Sequence, residues 1–323
     1  MLDRTPQFEA FVDRARLGKN GLGRLVAGIL VAVIVFLVAT GIILVLGFLA
    51  RAALDALSGG EGIGGAGAFA EFMVTPFGLA VALLTLGGLW LGVWAAVRLI
   101  HKRSLGGVTG SEGRIDWTDF RKAFVAFAAI PFALQLATMG FDPELHRNPL
   151  PFLEWLPAAI AIAAILLVQT SAEEVFFRGY LTQSLAARFR SPWIWAVIPV
   201  LVFASLHFKP DVAPALNFAM LAAIAGMAFG FTWLVTKTGN LGAAMGAHFA
   251  NNLVAILFVS HDAAFSSAAF FNGSLMQGDS LQGAAAALQV LPALASLFAA
   301  LVLIVHPKSP LALDVFRRPR EAS

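Results

Sequence analysis

Residues 25–48 read LVAGILVAVIVFLVATGIILVLGF, without one charged side chain. A helix needs about 20 such residues to cross the roughly 30 Å of hydrocarbon in a bilayer. The stretch is therefore read as a membrane-spanning helix, and further apolar runs follow it along the chain. They are Val74–Val97, Ala123–Phe141 (with Pro131 inside it as an expected kink), Leu156–Phe177, the short Trp193–Phe208, Leu216–Val235, Leu241–Val259 and Ala284–Val305. The expected fold class is all-α, a polytopic integral membrane protein of about eight transmembrane helices.

Composition points the same way. Of 323 residues, 59% are hydrophobic and 13% charged, and the mean hydropathy is +0.81. Soluble domains carry about 25% charged residues, so an ordinary water-soluble enzyme is excluded. The net charge of +3 arises from 22 basic and 19 acidic residues scattered between apolar runs, which leaves no basic patch for nucleic acid. The absence of cysteine removes disulfides, thiolate zinc sites and thiol nucleophiles. The chain reads as a single membrane domain, 1–323, with a motif-bearing core at 156–260, an N-terminal tail at 1–24 and a C-terminal tail at 306–323. About two dozen mostly polar residues precede a first span too long for a signal sequence, so that span reads as a retained helix.

Basic residues set the expected orientation. Arg14, Arg16, Lys19 and Arg24 precede the first span, and Arg98, Lys102, Arg103, Arg121 and Lys122 lie between the second and third. Arg188 and Arg190 follow the fourth, Lys237 the sixth, and Lys308, Arg317, Arg318 and Arg320 the last. The alternate loops hold Asp55, Glu61, Glu71, Asp142, Glu144, Glu154, Asp211 and Asp262, with few cations. The positive-inside rule places both tails in the cytoplasm. Segments 58–70, rich in glycine, and 262–283 are expected as external loops.

Charge inside a bilayer costs at least about 2.5–3.5 kcal/mol per group, so the few polar residues near the spans are functional candidates. They form the groups Ser171-Ala-Glu-Glu-Val-Phe-Phe-Arg178, Phe203-Ala-Ser-Leu-His207 and His248-Phe-Ala-Asn-Asn252. Glu174 and Arg178 stand four apart, share a helix face and are expected to pair, while Glu173 projects about a quarter turn away with no such partner. Gln135, Gln169 and Asn217 are expected as hydrogen bonders between helices. A turn near Arg190-Ser191, with Pro192 opening the next helix, makes a hairpin. Glu173 lies 17 residues before Arg190 and His207 lies 17 after it, so both reach a similar level. Phe203 shares the face of His207. His248 and Asn252 share another face, with Asn251 the alternative to Asn252.

One carboxylate, two imidazoles and an amide in a low-dielectric interior suit hydrolysis by activated water. Glu173 would be the base, His207 would hold the water, and His248 with Asn252 would donate to the oxyanion. A zinc ion on Glu173, His207 and His248 is an alternative, although the site needs no cofactor as written. A silent scaffold or immunity-type protein, or a proton-coupled transporter using the same residues as a relay, are the readings from other classes.

Glu173-Glu174-x-x-x-Arg178, Phe203-x-x-x-His207 and His248-x-x-x-Asn252, in that order, resemble the signature of the CPBP family of intramembrane proteases, also called the CAAX-protease and bacteriocin-processing or ABI family. The resemblance covers roughly 171–259. It implies a helical membrane fold with a polar intramembrane cavity, and peptide cleavage near the membrane. By the same resemblance Glu173 is the base, Glu174 and Arg178 its supporting pair, His207 the water-holding partner, and His248 with Asn252 the oxyanion site. The motif picks Asn252 over Asn251. The expected partners are a peptide or membrane-protein substrate and the lipid bilayer. The expected location is the plasma membrane of a bacterium.

Overall fold

In the computed structural model, residues 2–59, 67–210, 212–273 and 284–317 are described. Helix α1 (Pro6–Arg16) is followed by the long α2 (Leu22–Leu57), the short α3 (Ala68–Met73), α4 (Pro76–Thr85) and α5 (Gly88–Ala95). α6 (Trp117–Thr138) runs through Pro131, and α7 (Phe152–Glu174) leads through a π-helical stretch, Val175–Thr182, into α8 (Gln183–Ala186). A π turn at Trp193–Val197 opens α9 (Ile198–Ser205), then come α10 (Pro214–Thr238), α11 (Gly242–Leu253) with a π turn at Val254–Phe258, and α12 (Ala284–Val305).

The protein is an all-α polytopic membrane protein, and every expected span coincides with a helix. Among the described residues five helical stretches are long and apolar enough to cross a bilayer: Leu22–Leu57, Pro76–Ile100, Trp117–Phe141, Phe152–Ala186 and Pro214–Thr238. The segments Trp193–Ser205, Gly242–Phe258 and Leu291–Val305 are apolar but shorter. Their brevity has a local cause in two cases. α9 gives way to a turn just before His207, and the helix after Gly242 ends where Val259 turns extended.

Small residues seat the helix that carries His248 and Asn252. α11 lies along α6 and also meets α7 and α10. A Cβ on Gly242 would stand 2.2 Å from the Asp116 carbonyl oxygen, and one on Gly246 2.1 Å from that of Phe120. This Gly-x-x-x-Gly face lets two backbones touch, the packing device that membrane helices use in place of a hydrophobic drive. Asp116 caps α6 by accepting from the amides of Thr118 and Asp119 at 2.8 and 3.0 Å.

Loops gather at two ends of the bundle. At one end, Arg4 donates to the carbonyls of Ala186 and Phe189, Thr5 bonds the Thr236 carbonyl, and Lys122 pairs with Asp314 at 2.6 Å. At the other, Lys209 pairs with Asp262, and Trp155 and Asn148 donate to the carbonyls of Ala268 and Ala269. There a small sheet, ordered β1-β3-β2 from His146–Arg147, Val259–Ser260 and Phe271–Asn272, pairs β1 antiparallel and β2 parallel to β3. Thus 262–273, expected as loop, carries a strand. Of the glycine-rich segment, 68–70 begin α3, while 60–66, like 274–283, Asp211 and 318–323, lie outside the described residues.

The N-terminal 24 residues are more than a tail. α1 buries Phe8, Phe11 and Val12, and Phe8 packs 5.0 Å from the fully buried Trp195. Gln183 donates to the carbonyls of Phe11 and Gly107 at 2.7 Å each. Alternating polarity, with Thr5 as N-cap and Pro6 after it, was the available signal.

A buried latch closes this end. His101, immediately beyond the second spanning helix, donates from Nδ1 to the Lys19 carbonyl at 2.8 Å and accepts at Nε2 from the Tyr180 hydroxyl at 2.9 Å. Burial, aided by Arg103, Arg188 and Arg24, holds its imidazole below the ordinary value of 6.5 against the opposing pull of the Lys19 carbonyl. The unfolded chain then binds the proton more readily. The latch contributes fully above pH 6.5 and is lost progressively as pH falls below it toward the folded-state value. Thermal melting in detergent should therefore fall on acidification more steeply in the wild type than in His101→Gln. Equal slopes would remove the latch from the stability balance.

Candidate active site

Glu173 and Glu174 are the last residues of α7, where the α-helix passes into the wider π turns. Such turns add a residue to the cycle and redirect side chains, and they recur at functional sites. Another π turn follows directly after Asn252 and Leu253, and a third opens the helix that carries Phe203.

The expected Glu174–Arg178 pair forms, at 2.9 Å, and it is no surface bridge, because Glu174 is 0% and Arg178 1% exposed. Arg178 also donates to the Ala228 carbonyl at 3.2 Å, and its guanidinium lies over the rings of Phe203 and Phe231 at 4.8 and 5.8 Å. A second partner of Glu174 joins from α11. His248 Nδ1 meets Glu174 Oε1 at 2.8 Å, and its other nitrogen, Nε2, faces Glu173 Oε2 at 3.6 Å. His248 is thus held between two glutamates.

Glu173 is therefore not the partnerless carboxylate the spacing suggested. Gln169, one turn earlier on α7, donates to Glu173 Oε1 at 2.7 Å. Gln169 was expected to bond between helices, and it does so with its other end, accepting from Asn252 Nδ2 at 3.5 Å. Asn251 donates to Asn252 Oδ1 at 3.3 Å. Of the two asparagines, it is Asn252 that reaches the Gln169–Glu173 pair. Asn217 instead bonds the backbone of Lys209 and fixes the turn after His207.

His207 lies past the end of α9, half-buried, with Nδ1 2.9 Å from the Phe203 carbonyl. A ring nitrogen donating to that carbonyl leaves Nε2 as an acceptor. Phe203 joins the groups: its ring is 4.9 Å from that of His207, 6.1 Å from that of His248 and beneath Arg178. Phe231 stacks on His248 at 5.5 Å. Glu173, Glu174, Arg178, His248 and Asn252 are thus linked through Gln169 and the ion pairs, and His207 joins them through the Phe203 ring, while Asn217 and Gln135 stand apart. Sequence spacing missed the His248–Glu174 bond, which joins elements 74 positions apart, and the place of Phe231, one of many apolar residues on α10.

Of the residues in the zinc alternative, His248 and Glu173 approach each other at 3.6 Å, and His248 and His207 each bond a carboxylate or carbonyl through Nδ1, as metal-ligating histidines also do; among the described residues no group of three or more His, Asp or Glu gathers.

Residues 154–254 match the Rce1-like family, described as "Type II CAAX prenyl endopeptidase Rce1-like". The match falls on the motif-bearing part of the chain. It contains all three motifs, in agreement with the CPBP resemblance drawn from them. The chain is also 35% identical over 176 residues to the "Uncharacterized protein YyaK" of Bacillus subtilis (strain 168). That match spans 52% of this chain and 57% of the relative, so the chain covers little more than half of the relative's length. No solved structure matches.

Proposed function

We propose that the protein is an intramembrane endopeptidase in which Glu173 takes a proton from water held with His207, while His248 and Asn252 donate to the developing oxyanion. The carrying observation is the buried Glu173 carboxylate, held by Gln169 on one oxygen and facing His248 Nε2 at 3.6 Å on the other. In the proposed cycle, a water O–H bond breaks toward Glu173 as the oxygen attacks the peptide carbonyl. Glu173 then returns that proton to the leaving amine as the C–N bond breaks. His248 Nδ1 meets Glu174 Oε1 while Nε2 faces Glu173, which puts this ring nitrogen beside the base on the side where the oxyanion forms. Phe203 and Phe231 keep bulk water from the groups they cover, so each donor acts at low dielectric.

The substrate in this reading is a peptide segment entering from the membrane boundary. The membrane is a bacterial plasma membrane, with α1 and the basic loops in the cytoplasm. No metal enters the scheme. The test uses purified protein in liposomes with membrane-tethered peptides. Cleavage should survive chelation and fall about 100-fold or more in His207→Ala. Cleavage lost to chelator and restored by zinc would overturn the metal-free route. Full cleavage by His207→Ala would overturn the site.

A further inference from the structure

Gln169 is buried one turn before Glu173 and belongs to none of the three motifs. Its orientation is dictated by chemistry. An ionised carboxylate only accepts, so Gln169 must turn its NH2 to Glu173 Oε1, the 2.7 Å contact. Its carbonyl then points the other way, where only a donor is satisfied, and the Asn252 NH2 stands there at 3.5 Å. Asn252 in turn offers its carbonyl to the Asn251 NH2 at 3.3 Å. Each amide donates toward the glutamate, and none can flip alone without placing like groups together.

We infer that Gln169 is a positioning residue that orients the Glu173 base and the Asn252 amide as one unit. The inference rests on the peptidase reading. Holding Glu173 by Oε1 leaves Oε2 as the oxygen that faces His248, and hence the one that receives the water proton. Accepting a single hydrogen from Asn252 leaves the second Nδ2 hydrogen for the substrate oxyanion. Other groups cannot replace this contact. Arg178 is spent on Glu174 and Ala228, His248 approaches the other oxygen, and His207 is bonded to the Phe203 carbonyl. No covalent step is assigned to Gln169 itself.

The experiment is steady-state cleavage of the same tethered peptide by liposome-embedded protein. Gln169→Met keeps the length of the side chain and removes both polar ends. Its kcat should fall about tenfold or more, as expected for a lost hydrogen bond to a charged group, with KM within about twofold and an unchanged melting temperature. Gln169→Glu, matched in size, turns an acceptor toward Glu173 and should lower kcat at least as far. A kcat within twofold of wild type in either variant overturns the inference. So does a fall in kcat accompanied by equal changes in KM or melting, which would mark a structural role. Glu173→Ala is assayed beside them. If it still cleaves, the reading of Glu173 as the base fails. If it is silent while Gln169→Met is fully active, only the role of Gln169 fails.

Discussion

Glu173→Gln is expected to lower peptide cleavage by about 10²–10⁴-fold, the range attached to a positioned general base. The substitution keeps volume and removes the oxygen that would take the proton. Its amide still fits beside Gln169 only by turning its carbonyl to the Gln169 NH2, which leaves an NH2 facing His248 Nε2. Volume is kept and the Gln169 hydrogen bond is retained, so the variant should fold and melt like the wild type. KM should change little, because the carboxylate acts in the transition state more than in binding. Cleavage within tenfold of wild type, by a variant with an unaltered melting curve, would remove Glu173 from the chemistry.

The second large effect is on stability. Arg178→Met should cost about 3–5 kcal/mol, the usual penalty for breaking a buried ion pair by removing one partner. Glu174 is wholly buried, and its Oε2 already lacks a hydrogen-bond partner. Without Arg178, its Oε1 keeps only His248. The guanidinium also fills the space between Phe203 and Phe231, so their cation–π contacts go with it. The measurement is thermal or denaturant unfolding in detergent, compared with Glu174→Gln/Arg178→Met. The double variant should recover part of the loss, since it leaves no buried charge alone. An unchanged melting point in the single variant would show that the pair is not a stabilising element.

The helices were legible because hydrocarbon thickness imposes a length that apolar runs such as 25–48 meet by themselves. Glu174 with Arg178 was legible because four-residue spacing on one helix is local geometry. The place of His248 between two glutamates was not, since it depends on how α11 seats against α7 and α6, and the glycines at 242 and 246 that let α11 close on α6 read equally well as turn residues. Gln169 was read as glue between helices because an amide in a span is most often that. Its link to Glu173 appears only when the acidic end of α7 is known to face inward. α1 was hidden by its polarity: its few buried side chains count for little in a composition and for much in the packing.

The contacts of α1 have a consequence for biogenesis. Residues 4–11 leave the ribosome well before their partners, which are Ala186, Gln183, Phe189, Trp195 and Thr236. The opening segment must therefore wait, unpartnered, while most of the spans are synthesised and inserted. Such long sequence separations form late and slowly. Docking of α1 is then a closing event in assembly, made only once the helices bearing the glutamates and the first histidine are in place.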